Sequence, residues 1–169
     1  MMTTNKTAYV VGFMGSGKSS ILKVINQSTN INTVDLDELV VKDNGESILK
    51  IFRNHGEEYF RKKEEESFYK IKNMPETIIF LGGGSLVTDS IRTTIQQSEN
   101  SFYLQNSFDN LWENIKNSDR PLVTTGKKNV MKIYNERLDS YEQCKNTIDM
   151  SNSSLKEASK LIVSQLGWI

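Results

Sequence analysis

Residues Gly12-Phe13-Met14-Gly15-Ser16-Gly17-Lys18-Ser19 satisfy the pattern G-x-x-x-x-G-K-[ST]. No other feature of the chain constrains its fold as strongly. Backbone N–H groups can curl around phosphate oxygens only where side chains are small, a strand delivers the loop and a helix begins just after it. Both flanks are present. Thr7–Val11 is a short apolar run ending at a glycine, as a buried strand does, and from Gly17 onward Ile21, Leu22, Val24 and Ile25 supply one side of a helix. In such a loop Lys18 reaches the terminal phosphates and the Ser19 hydroxyl holds Mg²⁺. A glycine-rich turn would match this pattern in this context only by chance. The loop speaks for nucleotide binding and leaves open what is done with the nucleotide.

The rest of the chain continues the alternation. Ile31–Val34 reads as a second strand closing on Asp35, Thr77–Leu81 as a third that stops at Gly82-Gly83-Gly84, Ser101–Leu104 as a fourth and Thr147–Asp149 as a fifth. Between the second and third strands, apolar spacing predicts helices over Gly45–Asn54 and Glu57–Lys72, the latter ended by Pro75. Further helices are predicted over Thr88–Gln97, Phe108–Asn117, Val130–Gln143 and Leu155–Leu166, and Asn117–Asn129 reads as a mobile segment. Strands alternating with helices imply an α/β fold with a parallel sheet covered on both faces. Its strand order does not follow from pattern.

Composition narrows the partners. The 169 residues suit one domain with a core, and 21 basic against 21 acidic residues give no electrostatic case for bulk nucleic acid or an anionic membrane. The longest apolar runs, Ala8–Val11 and Ile78–Leu81, fall far short of the ~20 residues of a membrane span. Cys144 is the single cysteine and cannot close an internal disulfide. Lacking a signal-peptide pattern as well, the chain is expected to be cytoplasmic. Of the 21 basic residues 16 are lysine, so the five arginines (Arg53, Arg61, Arg92, Arg120 and Arg137) stand out. Arginine's planar fork grips a carboxylate or phosphate with two bonds, which lysine cannot imitate.

Asp35-Leu36-Asp37 lies at the carboxyl end of the second strand, where ligands of open α/β sheets gather. Read as extended chain, both carboxylates point the same way, one toward Mg²⁺ and the other toward a substrate hydroxyl; the alternative is an aspartate capping the following helix. Gly82-Gly83-Gly84 marks either close approach by a ligand or a flexible turn. By themselves, Arg61 reads as a charge on a solvated helix face and Arg137 as a surface partner of Glu136 or Asp139. Arg120 in Asp119-Arg120-Pro121-Leu122, beside the mobile stretch, suits a lid cation. His55 lies near no proposed chemistry, and Cys144, with no histidine to activate it, reads as a buried small residue.

Taken together, the phosphate loop, Asp35-x-Asp37, Gly45-Glu46-Ser47-Ile48…Ile51-Phe52, Gly56-Glu57…Phe60-Arg61…Glu64, Gly82-Gly83-Gly84, Arg120-Pro121-Leu122 and Arg137…Tyr141 resemble the shikimate kinases in order and spacing, from about Val10 to Asp149. The resemblance implies one three-layer P-loop domain over residues 1–169: a five-stranded parallel sheet flanked by helices, with a substrate-binding helical insert at about 36–62 and a mobile lid at about 113–127. It implies transfer of the γ-phosphoryl of ATP to the 3-hydroxyl of shikimate, with Mg²⁺ as cofactor, in a chain expected to be a monomer. ATP would be held by Gly15, Ser16, Gly17, Lys18, Ser19, Ser20 and Arg120, and the metal by Ser19 with Asp35. Shikimate would meet Asp37, Arg61, Gly82, Gly83, Gly84 and Arg137. Asp37, Lys18 and Arg120 would be catalytic.

Three positions depart from the family pattern. Leu138-Asp139-Ser140-Tyr141 stands where x-Pro-Leu-Tyr is usual, Trp112–Asp119 lacks the arginine that packs on adenine, and Ser151–Ser154 lacks the usual proline. A related small-molecule kinase, such as a gluconate kinase, and a non-catalytic nucleotide-binding homologue are the competing readings. No Asn-Lys-x-Asp guanine signature follows the loop.

Overall fold

The computed structural model describes residues 6–168. Five strands, β1 (Thr7–Val11), β2 (Asn32–Asp35), β3 (Thr77–Phe80), β4 (Ser101–Gln105) and β5 (Asn146–Asp149), form one sheet in the order β2-β3-β1-β4-β5, with every neighbouring pair parallel. Among the described residues seven helices connect and cover them: α1 (Lys18–Ser28), α2 (Leu36–Asn44), α3 (Ile48–Ile71), α4 (Asp89–Gln96), α5 (Phe108–Ile115), α6 (Lys127–Glu142) and α7 (Leu155–Leu166). Short 3-10 turns occupy Ser85–Val87 and Val123–Thr125. The expected α/β sheet is present, and the order places β1, which carries the phosphate loop, at its centre.

Alternation along β1 divides the core. Ala8 and Val10 face Ile21 and Ile25 of α1 and Ala158 and Ile162 of α7, while Tyr9 and Val11 face the larger layer built by α2 to α6. Both faces are buried, so β1 reads as continuous apolar sequence. The register pairs Asp35 with Phe80 and Val10 with Phe80. The carboxyl ends of β2, β3 and β1 therefore finish level, and the loops beyond them converge.

Three sequence expectations are adjusted. Apolar spacing predicts no helix over Leu36–Asn44, but the alternative of an aspartate capping a following helix holds: α2 forms there and the Asp35 Oδ1 accepts the Glu38 N–H at 3.2 Å. Gly45, in the left-handed conformation, then ends α2, and Ser47 caps α3, so the helix expected from Gly45 begins at Ile48. Likewise α6 begins at Lys127 rather than Val130, taking up the end of the stretch 117–129. No helix among the described residues is long and apolar enough to cross a membrane.

Inside α3 the backbone breaks at Gly56 (φ 82°, ψ 176°), between the two helices the sequence predicts. That conformation is essentially restricted to glycine. A β-carbon there would meet nothing within 4 Å. Gly56→Ala should therefore destabilise by about 1–3 kcal/mol through backbone strain alone, with no steric contribution. Urea denaturation measures this, and an unchanged midpoint would show that the break is not held rigidly.

Candidate active site

The phosphate loop gains its shape from what its glycines omit. Gly15 has φ 82°, and a β-carbon there would lie 2.8 Å from Ile115 Cγ2 and 3.0 Å from the Leu111 carbonyl, so α5 packs directly on the loop. Gly17, also left-handed, precedes α1 and offers no side-chain cap. The first N–H groups of that helix are left to an incoming anion, where the helix dipole is positive. Lys18 is drawn over the loop: its ammonium donates to the Gly12 carbonyl, to the Phe13 carbonyl at 3.1 Å and toward Ser16 Oγ at 3.4 Å. Burial pulls its pKa down to about 8, a shift that Asp37 opposes and Arg120 reinforces.

A cavity of about 450 Å³ opens above this loop. Gly15 to Ser20, Asp35, Asp37, Gly82, Gly83 and Arg120 all line it, so the sequence-predicted phosphate and metal residues share one space. Asp35 and Asp37 do not point together as in extended chain. Asp37 sits in the first turn of α2, where positions two apart are roughly 200° around the axis. Asp35 is turned to its capping bond, and Asp37 is turned toward Gly82, whose absent β-carbon would lie 2.7 Å from Asp37 Oδ1. Burial, with help from the nearby carboxylates of Glu64 and Asp35, raises the Asp37 pKa to about 6.

The two arginines of doubtful placement both turn inward. Arg61 is not on a solvated face: its side chain is 17% exposed, and its Nη1 donates at 2.8 Å to Glu64 Oε2, a carboxylate fully buried on the same helix. Glu64 Oε1 accepts a further bond from the Ser85 hydroxyl. The Nε of Arg61 is buried and meets no acceptor in the protein. Arg137 does not pair with Glu136 or Asp139. It donates from Nη1 to the Gly83 carbonyl at 3.2 Å and lies 5.8 Å from the Phe13 ring centroid, while Glu136 approaches Lys132 instead. A β-carbon at Gly84 would collide with Arg61 Nη2 and lie 3.1 Å from Arg137 Nη2. Both guanidinium groups therefore converge on Gly84, and the triple glycine is a site of close approach rather than a flexible turn.

Sequence reading assigned no role to Glu64, Ser85 or Tyr141. The spacing of Glu64, three residues after Arg61 on one helix, was the available signal for the first. The bonds to Ser85 and from Tyr141 to Gly83 span 21 and 58 residues and carry no local signature. His55 stacks on Tyr59 beside the break in α3, away from this site, and Cys144 is buried with its thiol pKa pushed up to about 12. Magnesium, implied by the phosphate loop, would find hard oxygen donors in the Ser19 hydroxyl and in the Asp35 carboxylate, whose Oδ2 the cap leaves free. Two protein donors suit an ion completed by phosphate and water.

Fold and loop together define a P-loop nucleotide-binding protein. Comparison with known proteins takes this further: a family model described as shikimate kinase matches residues 14–167. A shikimate kinase of Dictyoglomus turgidum is 35% identical over 162 residues, covering 92% of this chain and 94% of its own. One from Caldanaerobacter subterraneus is 32% identical over 161 residues and covers 94% of each. Among solved structures, shikimate kinase from Aquifex aeolicus superposes with a TM-score of 0.82 at 29% identity, covering 95% of this chain and 96% of its own. Shikimate kinase from Acinetobacter baumannii in complex with shikimate has the same fold, with a TM-score of 0.83 at 23% identity and coverage of 94% and 93%. The chain belongs to the shikimate kinase family.

The electrostatics of Asp37 are open to a direct test. Its pKa of about 6 lies above the ordinary 3.8, so the folded state holds a proton that the unfolded chain releases. Stability therefore falls as pH rises through that interval, and above it the ionised carboxylate costs at most about 3 kcal/mol. In urea denaturation of ligand-free protein, Asp37→Asn should be more stable than wild type at pH 7.5, with the gain disappearing near pH 4. A gain independent of pH would refute the burial argument.

Proposed function

We propose that the residues gathered on Gly82–Gly84 carry out the family's reaction: transfer of the γ-phosphoryl group of ATP to the 3-hydroxyl of shikimate, giving shikimate 3-phosphate and ADP on the way to chorismate and the aromatic amino acids. The observation that carries the residue assignment is the convergence of one carboxylate and two guanidinium groups on a single glycine stretch beside the phosphate loop. A small hydroxylated acid needs those groups at opposite ends.

Arg61 and Arg137 grip the carboxylate of shikimate. Glu64 holds the Arg61 fork in place. At the other end Asp37 accepts the hydrogen bond of the 3-hydroxyl. With a pKa of about 6 it is ionised near neutral pH, yet basic enough to take the proton as the oxygen attacks the γ-phosphorus. The new O–P bond forms as the bond from phosphorus to the bridging oxygen of ADP breaks. Lys18, Arg120 and the loop N–H groups bind the charge spread over the phosphate oxygens. Ser19 and Asp35 would hold Mg²⁺, which would supply further neutralisation of the phosphates.

We read residues 36–62 as the substrate-binding insert and 113–127 as a lid carrying Arg120, whose closure would keep water from accepting the phosphoryl group. The balanced charge supports small-molecule partners only, with neither nucleic acid nor membrane. We take the protein to act in the cytoplasm as a monomer.

A coupled ADP-release assay tests the whole reading. Shikimate should stimulate ADP release and gluconate should not; folded protein without shikimate-dependent turnover would overturn the assignment. Lys18→Ala should lose transfer. Asp37→Asn should lower kcat by about 10²–10⁴-fold while ATP still binds. Arg61→Ala, which removes charge-assisted bonds, should raise the shikimate KM by roughly 10–100-fold and leave the ATP KM near its wild-type value. Unaltered shikimate kinetics in that variant would mean the acid binds elsewhere.

A further inference from the structure

In Gly82-Gly83-Gly84 the local backbone bonds leave one carbonyl out. The Ser85 N–H donates to the Gly82 carbonyl and the Val87 N–H to that of Gly84, both at 3.1 Å, as the 3-10 turn forms. The Gly83 carbonyl instead faces α6, where it accepts from the Tyr141 hydroxyl and from Arg137 Nη1. Tyr141 and Arg137 are four residues apart on an uninterrupted helix and so share a face. A carbonyl oxygen has two lone pairs and can take both donors.

The two donors are not equivalent. Arg137 is exposed to competition from a bound acid, which its fork would also engage. Tyr141 is 1% exposed, and its ring stacks on Tyr103 of β4 at 5.3 Å and 19°. Burial pushes its phenol pKa well above the usual range, so the hydroxyl remains a donor throughout the working range. In a trans peptide the N–H points opposite to the C=O, so whatever holds the Gly83 oxygen also directs the Gly84 N–H. Between two glycines that peptide has wide freedom to rotate unless something outside the loop restrains it. Gly83 also lines both the 450 Å³ cavity over the phosphate loop and a 210 Å³ cavity beside Arg137 and Tyr141, so its peptide forms part of the wall between them.

We infer that Tyr141 is a positioning residue for acid recognition: by holding the Gly83 carbonyl from the core it fixes the Gly83–Gly84 peptide against which Arg61 and Arg137 present their guanidinium groups. This rests on the proposed role of those two arginines. Tyr141→Phe keeps the ring, its volume and its stacking, and removes only the donor. In the ADP-release assay the shikimate KM should rise about fivefold, the loss expected for one hydrogen bond, with the ATP KM unchanged. Calorimetry should show shikimate binding weakened by the same factor, independently of turnover. A lowered melting temperature with wild-type shikimate KM and affinity would overturn the inference and leave Tyr141 a packing residue; so would an equal rise in both KM values. Wild-type protein lacking shikimate-dependent turnover would instead overturn the reading on which the inference rests.

Discussion

Three charged side chains press on one stretch of backbone from which every β-carbon is missing, and the rest of the site depends on that crowding. Asp37 comes from α2, Arg61 from α3 and Arg137 from α6, three elements that share no local sequence. They can meet at Gly82 and Gly84 only because a side chain at either position would occupy the space of a carboxylate or guanidinium oxygen or nitrogen. The sheet makes the meeting possible. With β3 between β2 and β1, the loop leaving β3 emerges next to both the phosphate loop and the start of α2. The proposed acid-binding groups and the phosphate loop are thus neighbours by topology.

Such an arrangement needs its own charge balance. Glu64 is a fully buried carboxylate, tolerable because Arg61 and the Ser85 hydroxyl both donate to it. Its negative charge in turn reaches Asp37 and helps raise that pKa, while Lys18 and Arg61 pull it back down. The residue that orients the arginine proposed to bind the acid therefore also tunes the proposed base. Lys18 shows the converse: burial lowers its pKa toward neutrality, and the nearby carboxylates limit the fall. An arriving polyphosphate would stabilise the charged form of Lys18 further.

Much of this was legible in the chain and some was not, for physical reasons. β1, α1 and α7 carry their patterns locally, in apolar runs and helical spacing, and they appear with the boundaries expected or nearly so. The phosphate loop is likewise a local object. α2 is not marked by apolar periodicity; Asp35-Leu36-Asp37 reads equally as extended chain or as the start of a capped helix, and the deciding feature is a single capping bond to Asp35. With that helix in place Asp35 serves as its cap and Asp37 lies in its first turn, and each aspartate keeps a place at the cavity. Arg61 and Arg137 could not be told from surface charges by composition, because what buries them is Glu64, Phe13 and the Gly82–Gly84 backbone. Long-range partners of this kind leave no periodicity to read.

The departures from the family pattern have a structural counterpart in the way helices are tied to loops. Leu138-Asp139-Ser140 contains no proline, and α6 runs through it without a break, which keeps Arg137 and Tyr141 in line over Gly83. Within Trp112–Asp119, where no arginine occurs, the Asn114 amide donates to the Gly15 carbonyl at 2.9 Å and Ile115 fills the space beside Gly15. Each of the two loops is thus secured by a helix: the phosphate loop by α5, the glycine loop by α6. Beyond α5 the chain runs on to Arg120, which lines the same cavity as the phosphate loop. In this chain α5 thus engages the phosphate end of the nucleotide site through a neutral amide and an aliphatic side chain.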